Sequence, residues 1–423
     1  MPESVHRGPL PRLLFCSNHC YWDPSSGAAL CTRELLETLS QRRWACRVFC
    51  GPHLDFEDAS SLGQLLGAEQ IRFEKRQTTA GAMPVSVVHF QNGGVPVMVY
   101  DSPVARRGEN LTREEGACFL ALFDRVLQRF QLDLLLTYGG HWLAEEIIAH
   151  AKRRRIPVVF ALHNFEYHGA ELFRPVDAVL VPSRFSQEHY RRTLGLTSTA
   201  IPGPWDWRRV CCKEVRGQYV TFVNPQPQKG VFLFSRIAAE LARRRPDIPL
   251  LVVEGRGKAG WLDRTGIDIE RLGNVFVMPN TPDPRDFYQV SRMVLMPSLW
   301  RESFARVAAE AMMNGIPILA SSRGGLPETL EHAGFLFDVP EKYTPDSRLV
   351  PSAEEMAPWI DTIIRLWDDA TLYEQERRRC LAAAEAWRPE RLLPRFEEFF
   401  AEVLRRRGLA SQSEMLNRTG PGT

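Results

Sequence analysis

Apolar positions along the chain gather into short runs separated by longer stretches of helical period. Arg12–Cys16 reads as a first strand. A loop rich in Ser, Pro and Gly follows at Ser17–Gly27, then a helical stretch over Ala28–Arg42. Val48–Cys50 reads as the next strand, and Val85–Phe90 and Val95–Tyr100 flank Asn92-Gly93-Gly94, a hairpin signal. The pattern continues with a helix over Cys118–Phe130, a strand over Leu132–Thr137, a helix over Leu143–Arg154 and strands over Pro157–Leu162 and Val176–Val181. Short apolar runs alternating with helices of about 10–15 residues predict βαβ units and a parallel sheet.

The alternation pauses at Ile201–Gly217, a basic, turn-like stretch holding Pro202, Gly203 and Pro204. It restarts with strands at Tyr219–Val223, Pro249–Glu254, Val275–Met278, Met293–Met296 and Pro317–Ala320. Helices at Val231–Arg244, Pro284–Val290 and Phe304–Met313 are interleaved with them. Glu354–Trp367, Tyr373–Trp387 and Leu392–Arg406 close the chain as helices, and the polar tail after Gly408 reads as disordered. The expected division is 1–203 and 204–387, with a last helix over 388–408 and a tail over 409–423. Each half predicts its own open α/β sheet.

Composition narrows the function classes. The 423 residues are 44% hydrophobic and 25% charged, enough for two buried cores. The 53 basic and 51 acidic residues leave a net charge of +2, which argues against a nucleic-acid-wrapping protein. No apolar run approaches the roughly 18 residues of a membrane span, and the first residues carry no apolar signal core. Nine cysteines without a Cys-x-x-Cys pair predict reduced thiols and a cytoplasmic protein. The arginine runs Arg153–Arg155, Arg243–Arg245, Arg377–Arg379 and Arg405–Arg407 predict solvated helix faces, allowing at most a peripheral membrane contact.

The densest chemistry lies in Pro297–Glu328. A strand ends at Met296, a loop carries Glu302, and a helix is expected to open near Ser303–Ala305. Phe304, Val307, Ala308, Ala311 and Met312 form its apolar stripe, from which Glu310 stands off. Glu302 and Glu310 are eight residues apart, which as helix would span about 12 Å. That suits a sugar hydroxyl at one end and a ribose at the other, with free helix-start amides between them for a diphosphate.

The order Pro297-Ser298, Glu302-Ser303-Phe304-Ala305, Glu310-Ala311-Met312, Gly315-Ile316-Pro317-Ile318 and Gly324-Gly325-Leu326-Pro327-Glu328 resembles the Glu-x7-Glu region of retaining family 4 glycosyltransferases. The resemblance implies a GT-B fold: two Rossmann-like parallel-sheet domains facing a cleft, with the last helix crossing back to the first domain. By it, Glu302 meets donor-sugar hydroxyls and Glu310 the ribose, while Ser303, Phe304, Ala305 and Arg306 line the sugar or phosphate. Ala305 stands where the family has Gly. Asn224-Pro225-Gln226-Pro227-Gln228-Lys229-Gly230 resembles the family's phosphate loop, with Lys229 kept and Asn224 in place of an Arg. Arg256, Arg301 or Arg306 is a candidate substitute cation.

Gly255-Arg256-Gly257-Lys258-Ala259-Gly260 is a literal Gly-x-Gly-x-x-Gly. It resembles the family's loop beside the nucleotide, or serves NAD in an oxidoreductase. In the first half the resemblance points to Gly27 in Ser25–Ala28 as a glycine loop over the donor phosphates. It also points to Tyr138 or His141 near the donor sugar, and to His163-Asn164 as acceptor or sugar contacts. Val181-Pro182-Ser183-Arg184-Phe185 resembles a structural strand exit. The chain has no Asp-x-Asp, so the expectation is a metal-free site without cofactors. Its partners would be a nucleotide-sugar donor, a UDP-sugar first, and an unidentified acceptor hydroxyl. The competing classes are the NAD oxidoreductase, a related phosphorylase or epimerase, and a non-catalytic sugar-nucleotide binding module.

Overall fold

A computed structural model describes residues 10–54, 61–102 and 111–418. Contacts divide the chain into two units: Met1–Val181, His189–Pro204 and Leu392–Thr423 in the first, Pro182–Glu188 and Trp205–Arg391 in the second.

The first unit is built on β1 (Arg12–His19), β2 (Ala45–His53), β3 (Phe73–Ala80), β4 (Met83–Asn92), β5 (Val95–Asp101), β6 (Leu134–Thr137), β7 (Val158–Ala161), β8 (Ala178–Val181) and β9 (Thr199–Ala200). They form one sheet in the order β3-β4-β5-β2-β1-β6-β7-β8-β9. The β3–β4 and β4–β5 pairs are antiparallel, and the other pairs are parallel. Leu13–Cys16 and Leu134–Leu136 are buried because helices cover both faces of the parallel part, which is why they read as unbroken apolar runs. The hairpin at Asn92-Gly93-Gly94 forms as expected between β4 and β5. β3 was not expected. Its sequence FEKRQTTA lies at the sheet edge and is exposed along most of its length, so it lacks a hydrophobic signal.

The second unit carries β10 (Tyr219–Val223), β11 (Leu250–Val253), β12 (Val275–Met278), β13 (Ser291–Met296), β14 (Ile318–Ser321) and β15 (Phe335–Phe337). All pairs are parallel in the order β12-β11-β10-β13-β14-β15. Helix Val231–Arg244 packs its apolar stripe on this sheet, with Phe234 stacked on Phe222 at 4.7 Å. Strand order reverses between β10 and β13. Their carboxyl ends therefore flank the crevice in which doubly wound sheets bind ligands.

The last helix runs Pro389–Arg418, so residues 409–418, expected as tail, continue the helix, and 419–423 lie outside the described residues. From Leu392 it belongs to the first unit, where Phe400 meets Trp44 at 5.7 Å. No helix among the described residues is long and apolar enough to cross a membrane. The arginine runs are largely ion-paired, for instance Arg244 with Asp361 and Arg245 with Asp247 and Asp368. All nine cysteines are free thiols.

Candidate active site

The loops leaving β10 and β13 in the second unit bring Lys229 and Glu302 together. Lys229 Nζ lies 2.6 Å from Glu302 Oε1, and Ser298 Oγ donates to the same oxygen at 2.7 Å. Glu302 is 8% exposed and Lys229 half-buried, so neither is the solvated loop residue that its charge alone would suggest. Oε2 of Glu302 has no hydrogen-bond partner among the described residues, which leaves one carboxylate oxygen to accept from a ligand hydroxyl. The ammonium of Lys229 has three donors, of which Glu302 engages one. The two loops are joined by backbone as well: the amides of Leu299 and Trp300 both donate to the Gln228 carbonyl at 2.9 Å. Gly230 follows Lys229 at φ 85°, and a Cβ there would lie 1.9 Å from the Pro297 carbonyl oxygen. Only glycine lets the loops approach this closely.

Gly324 and Gly325 close the other side of the Glu302 loop. A Cβ on Gly324 would lie 2.4 Å from the Glu302 amide nitrogen and 2.6 Å from its carbonyl oxygen. The Gly325 amide donates to that carbonyl at 2.6 Å. This packing explains the paired glycines of the motif.

Three expectations for this segment are corrected. The helix begins at Arg306, not near Ser303–Ala305, because Ala305 is its N-cap in the left-handed region at φ 67°, ψ 66°. The span from Glu302 to Glu310 is thus a loop plus one helical turn, and the 12 Å helical rise does not apply. Glu310, expected to face outward, is 7% exposed. Arg306 Nε forms an ion pair with its Oε1 at 2.6 Å, and the buried Tyr288 hydroxyl donates to its Oε2 at 3.0 Å. Burial first, and Glu310 next, push the Tyr288 phenol well above its ordinary pKa, so it stays a donor. Arg306, a candidate substitute for the missing loop cation, pairs with Glu310 through Nε.

The Phe304 ring is buried between Trp205 (5.4 Å) and Trp387 (5.7 Å), so its backbone rather than its ring remains to meet a ligand. Among the described residues the amides of Ser303, Phe304 and Ala305 donate to no acceptor, although Phe304 and Ala305 are buried. Unpaired buried amides are rare in folded proteins.

Asn224 sits at φ 65° and accepts from the Gly257 amide through Oδ1 at 2.6 Å, while Gly255 packs against its side chain. It ties the two loops together rather than supplying charge. A Cβ on Gly257 would lie 2.4 Å from the Pro225 carbonyl oxygen, and the helix that follows, Gly260–Asp263, has four residues. The glycines serve loop packing, and the long helix N-terminus of a dinucleotide fingerprint is missing. Arg256 is exposed. Among the described residues, no group of three His, Cys, Asp or Glu is placed to hold a metal ion.

In the first unit, Gly27 opens helix Gly27–Gln41 after the N-cap Ser26 and has open space around it. Tyr138, His141 and His163 converge where β6 and β7 end. Tyr138 is buried with its ring 5.6 Å from both His19 and His163. His141 caps helix Trp142–Arg153 without a side-chain bond. Burial lowers its pKa, with further lowering from His53 and His19. His163 Nε2 is buried and has no hydrogen-bond partner among the described residues, and burial pushes its pKa down to about 4. Asn164 bonds Glu166 through its side chain and accepts from Tyr190 through its carbonyl. His19 and His53, whose rings meet at 4.8 Å, join this group, and the sequence reading missed them. It ended the first two strands at Cys16 and Cys50, whereas pairing carries them on to His19 and His53.

Two family models cover both units. Glycosyl transferases group 1 matches residues 216–347, and the Glycosyl transferase 4-like domain matches residues 26–201. The chain belongs to the GT-B glycosyltransferases of family 4 type. Within that family it is 35% identical over 150 residues to D-inositol 3-phosphate glycosyltransferase of Segniliparus rotundus, 33% of each chain. It is 31% identical over 111 residues to lipopolysaccharide 1,2-N-acetylglucosaminetransferase of Salmonella typhimurium, 24% of this chain and 29% of that one. The chain thus matches about a third of the length of these curated relatives. Its fold is similar to that of Thermosynechococcus elongatus sucrose-phosphate synthase (TM-score 0.65, 16% identity, 93% and 99% of the two chains). Anabaena HepE in complex with UDP is comparably similar (TM-score 0.63, 19% identity, 92% and 100%).

Proposed function

We propose that this family member transfers a glycosyl group from a nucleoside-diphosphate sugar to an acceptor hydroxyl, with retention of configuration and without a metal ion. The observation that carries the reading is the Glu302 carboxylate. It is buried and oriented through one oxygen by Lys229 and Ser298; among the described residues its other oxygen is uncommitted and the three amides that follow it are unpaired. In this reading Glu302 Oε2 accepts from a sugar hydroxyl and holds the ring as positive character builds at the anomeric carbon. Lys229, with the amides of 303–305 and the helix start at Arg306, stabilises the diphosphate as it departs. Glu310, oriented by Arg306 and Tyr288, accepts from the ribose. In the first unit, Tyr138 and His141, with His163 and Asn164, are the candidates for sugar or acceptor contacts. Retention is inferred from the family resemblance of the Glu-x7-Glu segment.

HepE and the pneumococcal O-GlcNAc transferase GtfA have solved complexes with UDP, which makes UDP-sugars the first donors to test. A thermal-shift screen of UDP-, GDP-, ADP- and dTDP-sugars in EDTA tests the reading. A bound donor at one hundred times Kd stabilises the fold by about 2.7 kcal/mol. Stabilisation by one class, followed by its turnover, supports transfer. Binding without turnover under any acceptor supports a binding module, and no binding at all refutes the proposal.

A further inference from the structure

The Pro182-Ser183 segment follows β8 and resembles an ordinary strand exit, but its contacts lie elsewhere. Residues 182–188 belong to the second unit, and there Ser183 Oγ lies 2.5 Å from the Ser303 carbonyl oxygen. Ser186 Oγ lies 3.3 Å from the same oxygen and 2.9 Å from Ser183 Oγ. Both serines are buried. A hydroxyl has one proton, and the shortest approach assigns that of Ser183 to the Ser303 carbonyl. The Ser186 amide donates to Ser183 Oγ at 3.0 Å and fixes its lone pairs. The segment is itself held: the amides of Arg184 and Phe185 donate to Glu328 Oε1 and Oε2, each at 2.9 Å. These are orphan amides of a helix start, which a carboxylate satisfies well.

Ser183 completes a series. The carbonyl of Glu302 is held by the Gly325 amide, that of Ser303 by Ser183, and that of Phe304 by the Thr329 hydroxyl. In a planar trans peptide the N–H of the next residue points opposite to the carbonyl. Tethering three successive carbonyls therefore fixes the direction of the amides of Ser303, Phe304 and Ala305. These are the three amides without an acceptor among the described residues. Successive amides beside a left-handed residue such as Ala305 form an anion-binding concavity.

We infer that Ser183 is a positioning residue for the donor site: by holding the Ser303 carbonyl it aims the Phe304 amide at the diphosphate of the nucleotide sugar. Glu328 acts one step further out, by anchoring the segment that carries Ser183. This rests on the donor-site reading of the Glu302 loop. On this assignment the amides serve the outer phosphate, so a monophosphate is the control.

The test compares calorimetric titrations of UDP and UMP (or of the di- and monophosphate of whichever base binds the wild type) into wild type, Ser183→Ala, Ser183→Cys and Ser183→Thr. Ser183→Ala removes the tether and should weaken the diphosphate about tenfold, with the monophosphate within about twofold of wild type. Ser183→Thr keeps the hydroxyl and should retain diphosphate affinity. Ser183→Cys, close to Ser in volume but a weak donor, should fall between and keeps the test open if the alanine variant does not fold. Equal affinity in all variants overturns the inference, as does equal weakening of di- and monophosphate, which marks a merely structural serine. A wild type that binds no nucleoside diphosphate overturns the donor-site reading itself.

Discussion

Replacing Gly324 by alanine should separate two costs that the structure assigns to it. At φ +64° the residue is in the left-handed region, where an L side chain costs about 1–2 kcal/mol. Its Cβ would also lie 2.4 Å from the Glu302 nitrogen and 2.6 Å from the Glu302 oxygen, backbone atoms that cannot rotate away. Gly266, in the same unit at φ +73°, has nothing within 4 Å of a Cβ and isolates the conformational cost. Gly266→Ala should therefore lower unfolding free energy by about 1 kcal/mol in urea titrations, while Gly324→Ala should lower it by about 3 kcal/mol or more. Gly324→Ala should also abolish donor turnover, because the backbone that shifts is that of Glu302, whereas Gly266→Ala should leave turnover intact. Equal destabilisation by the two substitutions would refute the close-approach argument. Normal turnover by Gly324→Ala would refute the placement of Glu302 at the reacting centre.

Two other substitutions probe the charged groups. Tyr288→Phe keeps the volume but removes the donor to Glu310 Oε2, so nucleoside diphosphate affinity should fall about tenfold with kcat at saturating donor little changed; unchanged affinity in calorimetry would contradict the ribose role of Glu310. His163 holds a folded pKa of about 4, below the usual 6.5, so the unfolded chain takes up the proton first as pH falls. Its stabilisation is present above about pH 6.5 and lost between there and pH 4, amounting to about 3 kcal/mol at most. Urea titrations at pH 7 and 4.5 should show a steeper loss for wild type than for His163→Gln; equal slopes would contradict burial of a neutral imidazole.

What the sequence reveals follows what each residue type can announce by itself. Parallel strands buried on both faces, such as Leu134–Thr137 and Leu250–Val253, read as apolar runs, and Glu302, Lys229 and Gly324 lie in an ordered motif. The helix start at Arg306 was not legible, because it depends on a left-handed alanine that no propensity favours. Burial of Glu310 was missed because it depends on Tyr288, 22 residues away in the chain, although Arg306 at i−4 was a readable partner. Ser183 looked like a strand exit because its acceptor lies 120 residues away, and only a backbone carbonyl marks the contact.

In the proposed reaction Glu302 serves the sugar and Glu310 the nucleotide, without a metal ion. Release of nucleoside diphosphate from the UDP-, GDP-, ADP- and dTDP-sugar panel, measured in EDTA for wild type, Glu302→Gln and Glu310→Ala alongside diphosphate titrations, tests it directly. Wild type should turn over at least one donor. Glu302→Gln should lose more than about tenfold in kcat with diphosphate affinity kept, and Glu310→Ala should lose about tenfold or more in diphosphate affinity. Turnover only after adding a divalent metal, or a Glu302→Gln variant with wild-type kcat, would contradict it.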